Sequence, residues 1–469
     1  MFLCRDKELK ALERRYQSGQ PECVVIYGRR RVGKTALINE FTKDKPTVYF
    51  PALNANAQAN LEALSKAVWM YRYPNAAETP VFPSFDAAFS EITRIAKERR
   101  AVFVIDEFPY LAKADGSIPS RLQHLLDRDW RDSGIYLILC GSSLSFMERE
   151  VLSEKSPLFG RRTAQLRLEP LSYRDTAAFH PELSPEENAL IYGVTGGVPH
   201  YIQKLGVTGS VRAALLDNFF DRTAYLFEEP GNLLKQELRE PAGYNSVITA
   251  IANGAAKLSD ISDQTAMDNA HCLMLMRTLM ELGILQKVEP VVDKSKRKTL
   301  YRISDNFFRF WYRFVPANMV AIQSDRIDRV FDAAVGSYLS DYMGGVFEQM
   351  CRQYLTLYAE DLPLQIAEIG EWWGTSRDRK EVQLDIVAVS AKVANARGRR
   401  FLVGSCKYRN TPVGIDELDR LRAYAASFTA ENDTCFYYIF SKGGFTEGLL
   451  ARQRRGEVRL VSLEDMYRP

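Results

Sequence analysis

The chain has 469 residues, of which 46% are hydrophobic and 26% are charged, and these values exclude a wholly disordered, collagen-like or low-complexity protein. The 62 Lys and Arg residues nearly balance the 59 Asp and Glu residues, so that the formal net charge is only +3. The overall charge therefore does not indicate nucleic-acid binding, which would have to come from local basic patches. At about 100–200 residues per domain, the length predicts two to four domains.

Neither a membrane span nor a secretory leader is expected. No stretch reaches the ~18–20 uninterrupted apolar residues that a span needs, and the N-terminus is charged by Arg5. The seven cysteines are scattered and form no Cys-x-x-Cys motif, a pattern typical of reduced thiols. We therefore expect a cytoplasmic protein without a membrane partner.

The first 170 residues alternate short apolar runs with longer helical patterns, such as the one at Ala87–Arg99. Apolar runs of this kind are typical of central parallel strands that helices cover on both faces. The fold class predicted here is therefore α/β, with a doubly wound parallel sheet. The predicted strands are Cys23–Tyr27, Thr47–Pro51, Val102–Asp106, Ile135–Cys140 and Gln165–Leu168.

Beyond about residue 172 the pattern becomes helical, and a short two-stranded ribbon follows from Ile284. A long helical stretch is predicted at Ile322–Glu360. The last 100 residues return to an α/β pattern. Domain boundaries are expected near residues 205, 237 and 320. The elements predicted there are strands at Val382–Val389, Phe401–Cys406, Cys435–Phe440 and Arg459–Ser462, and a helix at Ile415–Ser427.

Residues 28–35 read Gly-Arg-Arg-Arg-Val-Gly-Lys-Thr, between the apolar run CVVIY and the helical ALINEFTK. This is the complete G-x-x-x-x-G-K-T phosphate loop in its strand–loop–helix context. Its main-chain N–H groups would surround phosphate oxygens, Lys34 would neutralise the β- and γ-phosphates, and the Thr35 hydroxyl would ligate Mg²⁺. ATP and Mg²⁺ are thus the predicted cofactors. The predicted binding residues are Gly28, Arg31, Val32, Gly33, Lys34 and Thr35, although most of the side chains at 29–31 are expected to face solvent or pack against the domain.

The run AVFVIDEFPYL ends in two adjacent carboxylates, Asp106 and Glu107. Ligands bind at the carboxyl ends of the strands in sheets of this type. Asp106 would hold Mg²⁺, and Glu107 would polarise the attacking water. Adjacent strand residues point in opposite directions, so Glu107 requires a bend in the chain before Pro109.

Two further segments offer catalytic candidates. Ser142 or Ser143, after the run ILC, would sense the γ-phosphate or position water, unless the segment is a simple turn. Arg161 and Arg162, in PLFGRRT, are candidates for a trigger arginine that acts within the chain or from a neighbouring copy. A surface arginine pair is the alternative interpretation.

The segment Asn245–Ser304 is predicted to form helix, short helix, helix and ribbon, and the turn of the ribbon is basic. A helix-turn-helix with such a wing would contact the phosphates of double-stranded DNA without sequence specificity. Winged helices also bind proteins, so a protein partner remains an alternative. The candidate DNA-binding residues are Lys294, Lys296, Arg297 and Lys298.

These motifs together resemble the archaeal-type ATPase family, a branch of AAA+/STAND-like P-loop ATPases. The segments that carry the resemblance are F-L-x-R-x-x-E-L at the N-terminus, YGRRRVGKT, VIDEFPYL, CGSSLSFME, PLFGRRT, TGGVPHYI and YRISDNFFRFWYRFV. They follow the family's order over essentially the whole chain, and Cys4 departs from the Gly of many relatives. The resemblance implies an ATPase core at 1–205, a helical lid or linker at 206–236, a winged helix at 237–320 and a nuclease-like domain at 321–469.

The terminal domain resembles the PD-(D/E)xK nuclease fold, whose chemistry needs carboxylates and a lysine around Mg²⁺. Asp385, Glu348 and Lys407 match this pattern, but Ser405 stands where the second acid is expected. A neutral hydroxyl is a poor Mg²⁺ ligand, so the site is expected to be degenerate. Either Glu381, Glu368 or Glu371 supplies a migrated carboxylate, or Asp385 and Lys407 form a structural ion pair.

The function predicted from the sequence is an ATPase that couples MgATP binding or hydrolysis to a DNA-binding winged helix and a nuclease-like domain. One alternative is an ATP-gated signalling switch that acts on a protein partner and assembles into a homo-oligomer with ATP. The other alternative is a Mg²⁺-dependent nuclease that ATP regulates.

Overall fold

A computed structural model describes residues 2–292, 298–376, 379–391 and 398–468. The chain divides into two compact units, which are described separately below. The first comprises Met1–Leu171 and Val198–His200, and the second comprises Ser172–Gly197 and Tyr201–Pro469.

The first unit is built on a five-stranded parallel sheet with the strand order β2-β3-β4-β1-β5. Its strands are β1 (Glu22–Tyr27), β2 (Thr47–Pro51), β3 (Ala101–Asp106), β4 (Ile135–Gly141) and β5 (Ala164–Arg167). Its helices are α1 (Asp6–Gln17), α2 (Lys34–Thr42), α3 (Ala57–Arg72), α4 (Phe85–Glu98), α5 (Phe108–Ala114), α6 (Ile118–Asp127) and α7 (Leu144–Phe146), and a π-helical turn, Met147–Val151, follows α7. The predicted parallel α/β sheet is thus confirmed, with each strand within one residue of its predicted bounds.

The three inner strands show why strands could be predicted from apolar runs in the sequence. β1, β3 and β4 are buried along their whole length, because apolar clusters cover both faces of the sheet. Buried strands of this kind consist almost entirely of apolar residues. Since all five strands are parallel, residues 28–33, Glu107 and Ser142 follow their strands at the same edge of the sheet.

The second unit begins with helices. They are α8 (Tyr173–Ala177), α9 (Pro185–Thr195), α10 (Pro199–Leu205), α11 (Val211–Phe219), α12 (Tyr225–Glu237), α13 (Pro241–Ala252), α14 (Leu258–Thr265), α15 (Asn269–Glu281), α16 (Asn306–Phe314), α17 (Met319–Gln323), α18 (Ile327–Phe331) and α19 (Ser337–Gln353). Between α15 and α16 lie the antiparallel strands β6 (Leu285–Val288) and β7 (Leu300–Ile303). Residues 293–297 of the connection between these strands, and with them Lys294, Lys296 and Arg297, lie outside the described residues.

The aromatic helix α16 links the elements of this region. Its Phe307 stacks on Tyr201 with ring centroids 4.3 Å apart. Trp311 Nε1 donates to Phe227 O at 2.8 Å, and Tyr312 Oη donates to the Asn245 side chain at 2.6 Å. The aromatic side chains of α16 therefore join α10, α12 and α13.

The C-terminal part is a mixed five-stranded sheet in the order β12-β11-β10-β9-β8. β8 (Ile366–Thr375), β9 (Glu381–Ser390) and β10 (Arg400–Lys407) are antiparallel, whereas β10, β11 (Thr434–Ser441) and β12 (Arg459–Ser462) are parallel. Its helices are α20 (Ile415–Ala425), α21 (Glu447–Arg454) and α22 (Leu463–Tyr467).

Two expectations for this half need correction. The stretch Ile322–Glu360 is not one continuous helix: the chain turns at Asp325, where φ is +52°, and π-helical turns occupy Asp332–Gly336 and Tyr354–Tyr358. The strand β8 was not predicted. Trp372, on that strand, is buried and packs against Phe428 with ring centroids 4.8 Å apart.

Over residues 2–292, 298–376, 379–391 and 398–468, none of the helices combines the length and the apolar character that crossing a membrane requires.

Candidate nucleotide-binding site

The loop at residues 28–33 joins β1 to α2, and at Gly28 its main chain lies close to the segment that follows β5. A Cβ on Gly28 would lie 2.4 Å from Leu168 O, so a side chain there would collide with the main chain after β5. Gly33 adopts a left-handed conformation, with φ of +95°, directly before α2 begins at Lys34. The main-chain N–H groups at the start of α2 have no partner within the helix and are available to an anion.

The Lys34 side chain lies over this loop. Its Nζ donates to Gly28 O at 2.9 Å and to Arg29 O at 3.0 Å. Burial lowers the pKa of Lys34 from its ordinary value, while the nearby Glu107 and Asp106 oppose that shift. A poorly hydrated lysine held in this way loses little solvation when a phosphate replaces the two carbonyl groups.

The loop is also fixed from the N-terminus of the chain. Arg5 is buried, and its Nη2 donates to Val32 O at 3.1 Å and to Glu169 O at 2.6 Å. Its Nη1 pairs with Glu8 at 3.1 Å. These contacts give Arg5 and Glu8 of the N-terminal motif a structural role: they hold the end of the loop against the segment that follows β5.

Thr35 and Asp106, the two predicted Mg²⁺ ligands, lie side by side. Thr35 Oγ1 donates to Asp106 Oδ2 at 3.2 Å. Tyr49 Oη, on β2, donates to the same oxygen at 2.5 Å. Tyr49 could not be recognised from the sequence, because it lies within a strand and belongs to no recognised motif.

Glu107 bends the chain as its proposed role requires. It adopts a left-handed conformation with φ of +53° and ψ of +44°, and its N–H donates to Asp106 Oδ1 at 3.0 Å. Its carboxylate accepts hydrogen bonds from Ser142, at 2.9 Å from Oγ and at 3.3 Å from the main-chain N–H. The end of β3 and the end of β4 are thereby connected through Glu107 and Ser142. A strained non-glycine residue of this kind is typical of functional sites.

Arg161 and Arg162 lie at the amino ends of the strands, opposite the phosphate loop. They precede β5, and the adjoining Thr163 N–H donates to Cys23 O near the amino end of β1, whereas the phosphate loop follows its carboxyl end. Arg161 pairs with Asp127 at 3.1 Å, and Arg162 donates to Leu152 O at 2.7 Å. Since β1 alone separates the two edges by ~15–20 Å, neither arginine reaches the phosphate loop of its own chain.

A second group of candidates lies in the C-terminal sheet, around a cavity of about 260 Å³ between β9, β10 and α20. Asp385 Oδ2 accepts the Cys406 N–H at 2.8 Å and lies 3.8 Å from Lys407 Nζ. Ser405 Oγ donates to Glu417 Oε1 at 2.6 Å, and the same Glu417 oxygen lies 3.5 Å from Lys407 Nζ. The carboxylate beside Ser405 therefore comes from α20.

Two of the glutamates considered for that position are placed differently. The Glu371 carboxylate is 5% exposed and accepts two hydrogen bonds from Arg302 Nη1, at 2.6 and 2.7 Å. Glu381 is exposed at the rim of the cavity. One signal for Glu417 was present: it lies one helical turn before the buried Leu421, on the apolar face of its helix.

Glu348, on α19, lies next to this group. Burial raises its pKa to about 7, and the neighbouring carboxylate of Asp385 adds to the shift. Arg352 Nη1 is 3.9 Å from the Glu348 carboxylate and donates to Asp385 O at 3.2 Å. Within the described parts of the chain, however, His, Cys, Asp and Glu side chains form no group of three or more that could hold a metal ion.

Residues 2–205 match the sequence model of an ATPase domain found predominantly in Archaea. Over these residues the chain is similar to the archaeal-type ATPase family. Residues 311–420 match a second model, which describes archaeal and bacterial proteins of unknown function.

The chain is also similar to individual proteins. The uncharacterized protein MJECL04 of Methanocaldococcus jannaschii is 28% identical over 452 residues, which cover 93% of this chain and 99% of the relative. The uncharacterized ATP-binding protein MJ0423 of the same organism is 47% identical over 45 residues, covering 10% of this chain and 76% of that protein. Among solved structures, the Walker-type ATPase PABY2304 of Pyrococcus abyssi superposes with a TM-score of 0.52 at 18% identity, covering 66% of this chain and 96% of that one. This last likeness shows the fold.

The candidate site at residues 28–35 fits MgATP by its own geometry. Gly28 leaves a space that a Cβ would fill, Lys34 presents a desolvated ammonium group, and Thr35 and Asp106 bring two oxygen donors together. Oxygen donors of this kind are the ligands that Mg²⁺ prefers, together with the phosphates of its nucleotide.

Proposed function

We propose that this protein binds MgATP at residues 28–35 and hydrolyses it, and that the cycle acts on double-stranded DNA through the module formed by α13–α15, β6 and β7. The observation that carries the first part is the convergence of Thr35, Asp106 and Glu107 beside the phosphate loop. Thr35 and Asp106 would hold Mg²⁺, which would supply positive charge to neutralise the phosphates during transfer.

The side chains have distinct roles in this proposal. The main-chain N–H groups of the loop and Lys34 bind the phosphates, and Thr35 and Asp106 hold the metal. Glu107 accepts a proton from the attacking water and orients it toward the γ-phosphate. Ser142 holds the Glu107 carboxylate while no water is being activated, and releases it when the γ-phosphate offers Ser142 a better hydrogen-bond partner.

The position of Arg161 and Arg162 supports a trigger that acts between copies of the chain. Because neither reaches its own phosphate loop, stabilisation of transition-state charge by one of them requires a neighbour. We therefore propose a homo-oligomer that forms with ATP.

The case for DNA comes from the basic connection between β6 and β7, after a helix that buries Cys272, Leu275 and Met276 against its neighbours. In a winged helix this connection contacts backbone phosphates. Phosphate contacts of this kind give affinity without base specificity and make binding depend steeply on salt.

The test is the ATPase rate with and without double-stranded DNA, measured at several salt concentrations. We expect DNA to accelerate hydrolysis. Replacement of the four wing residues by alanine should remove the acceleration and reduce the slope of log affinity against log salt by about 2–4. The wing variant changes Lys294, Lys296, Arg297 and Lys298, and a control with the same change in net charge replaces the exposed Lys7, Lys66, Lys97 and Lys235.

Hydrolysis that is indifferent to DNA, in a protein that oligomerises with ATP, would instead support the signalling switch. In that outcome the wing variant and the charge-matched control would behave alike.

Glu417 favours metal-dependent cleavage by the C-terminal cavity as a second candidate function, because it restores an acid beside Lys407. It stands second because Ser405 replaces the expected acid, and because no group of three acidic, His or Cys side chains that could hold a metal ion occurs within the part of the chain that the structure describes. The test is Mg²⁺-dependent cleavage of DNA by the wild type, Asp385→Asn and Glu417→Gln, with the exposed Glu381→Gln as control. Cleavage lost in the first two variants and kept in the control would establish this function, and intact DNA after long incubation with the wild type would eliminate it.

A further inference from the structure

Tyr49 makes a contact that the proposed mechanism does not yet use. In the parallel pairing of β2 with β3, Tyr49 lies opposite Val104, two residues before the position of Asp106. Its ring packs against the buried face of the sheet, and the length of the side chain brings Oη to 2.5 Å from Asp106 Oδ2. This distance is in the range of a short, charge-assisted hydrogen bond.

The direction of this hydrogen bond is fixed. Burial raises the pKa of Tyr49 far above its ordinary value, and the Asp106 carboxylate and the hydrogen bond to it add to the shift. A phenol O–H is the donor and a carboxylate oxygen the acceptor in this contact, so Tyr49 Oη donates to Asp106 Oδ2.

Thr35 depends on the same carboxylate oxygen. A hydroxyl group can direct a lone pair at a cation only while its proton points elsewhere, and Asp106 Oδ2, 3.2 Å from Thr35 Oγ1, is the acceptor for that proton. The Glu107 N–H holds the other oxygen, Oδ1, at 3.0 Å. Tyr49 Oη on Oδ2 and the Glu107 N–H on Oδ1 therefore fix the rotation of the Asp106 carboxylate, and this carboxylate orients the Thr35 hydroxyl.

We propose that Tyr49 is a positioning residue of the MgATP site: by holding Asp106 Oδ2 it keeps the Thr35 hydroxyl and the Asp106 carboxylate in the arrangement that binds Mg²⁺. The inference rests on the proposed nucleotide site. In this proposal Tyr49 acts through Asp106, so its loss affects the metal and leaves the phosphate contacts of Lys34 and the loop intact.

The test uses fluorescent N-methylanthraniloyl-ADP, which cannot undergo hydrolysis at a γ-phosphate, bound to the full-length protein. For Tyr49→Phe, we expect the Mg²⁺ concentration at half-saturation of the nucleotide complex to rise about tenfold, the equivalent of one charge-assisted hydrogen bond. The affinity for the nucleotide in EDTA should remain within about twofold of the wild type.

Tyr136→Phe is the matched control. It removes a buried hydroxyl group of the same unit, one that donates to Leu12 O at 3.1 Å and does not contact Asp106. Thermal unfolding of both variants without nucleotide shows whether either is misfolded.

An unchanged Mg²⁺ dependence in Tyr49→Phe, or an equal change in Tyr136→Phe, would overturn the inference. Its failure is distinguishable from failure of the proposed function through Lys34→Ala. If Lys34→Ala loses the nucleotide while Tyr49→Phe behaves as the wild type, only the role of Tyr49 is wrong. If Lys34→Ala binds the nucleotide as the wild type does, the site and the role of Tyr49 fall together.

Discussion

Replacement of Gly28 by alanine tests whether the phosphate loop depends on the close approach seen in the structure. The added Cβ would lie 2.4 Å from Leu168 O and 3.4 Å from Leu168 Cβ. The main chain cannot easily yield there, because the Leu168 N–H donates to Tyr27 O at 2.7 Å. Relief of the collision requires a shift of about 0.5–1 Å in the loop or in the end of β5, and overpacking of this kind costs ~1–3 kcal/mol.

Gly19→Ala is the control for backbone strain. Gly19 has φ of +74°, and a Cβ there would meet no atom within 4 Å. Its replacement should therefore cost only the left-handed strain of about 1 kcal/mol. Because Gly28 has φ of +156°, the difference between the two variants reports the collision together with the further backbone strain at Gly28.

The assays are urea unfolding of the full chain and binding of the fluorescent nucleotide. We expect Gly28→Ala to lose ~1–3 kcal/mol in unfolding free energy beyond the loss in Gly19→Ala, and to bind the nucleotide at least about tenfold more weakly. Gly19→Ala should bind as the wild type. Equal stability and equal affinity in the two variants would refute the proposed packing of the loop.

Two further predictions concern the second unit. Arg302→Met leaves the Glu371 carboxylate, which is 5% exposed, without its main partner, and should lower the free energy of unfolding in urea by about 3 kcal/mol. Adding Glu371→Gln should restore more than half of this loss. If the losses of the two single variants simply add in the double variant, the pairing is contradicted. Burial, and then the Asp385 carboxylate, raises the pKa of Glu348 from 4.5 to about 7. The stabilising contribution of the protonated Glu348 is therefore complete below pH 4.5 and is lost as the pH rises through about 7. Measured in EDTA, the wild type should therefore lose about 3 kcal/mol relative to Glu348→Gln over that window, and parallel pH profiles would contradict the shift.

The sequence was sufficient for the first sheet because the strands there are buried on both faces. β1, β3 and β4 are continuous apolar runs, and their carboxyl ends carry the phosphate loop, Asp106 and Ser142 in recognisable motifs. Even the bend at Glu107 followed from the alternation of side chains along a strand.

The secondary structure of the C-terminal half was harder to predict from the sequence, for two reasons. β8 escaped prediction because its pairing with β9 is irregular between Ile366 and Glu368 and again between Gly370 and Trp372, so that the alternation of polar and apolar residues breaks down. Within the helical stretch predicted at Ile322–Glu360, the left-handed turn at Asp325 could not be foreseen because no glycine marks it.

The residues that sequence reasoning missed at the two sites share one property. Tyr49 meets Asp106, and Glu417 meets Ser405, through tertiary contacts between elements that no motif connects. A hydroxyl group in mid-strand and a glutamate on an amphipathic helix are ordinary residues in the sequence. Their position is determined by strand register and helix packing, which only the folded chain fixes.

The claim that residues 28–35 hold the phosphates of ATP is tested most directly by nucleotide binding to Lys34→Ala, with the exposed Lys66→Ala as control. With fluorescent ATP and Mg²⁺, we expect Lys66→Ala to bind as the wild type and Lys34→Ala to bind about 100-fold more weakly, the loss of two charge-assisted phosphate contacts. Equal affinity in Lys34→Ala and the wild type would contradict the assignment of the site.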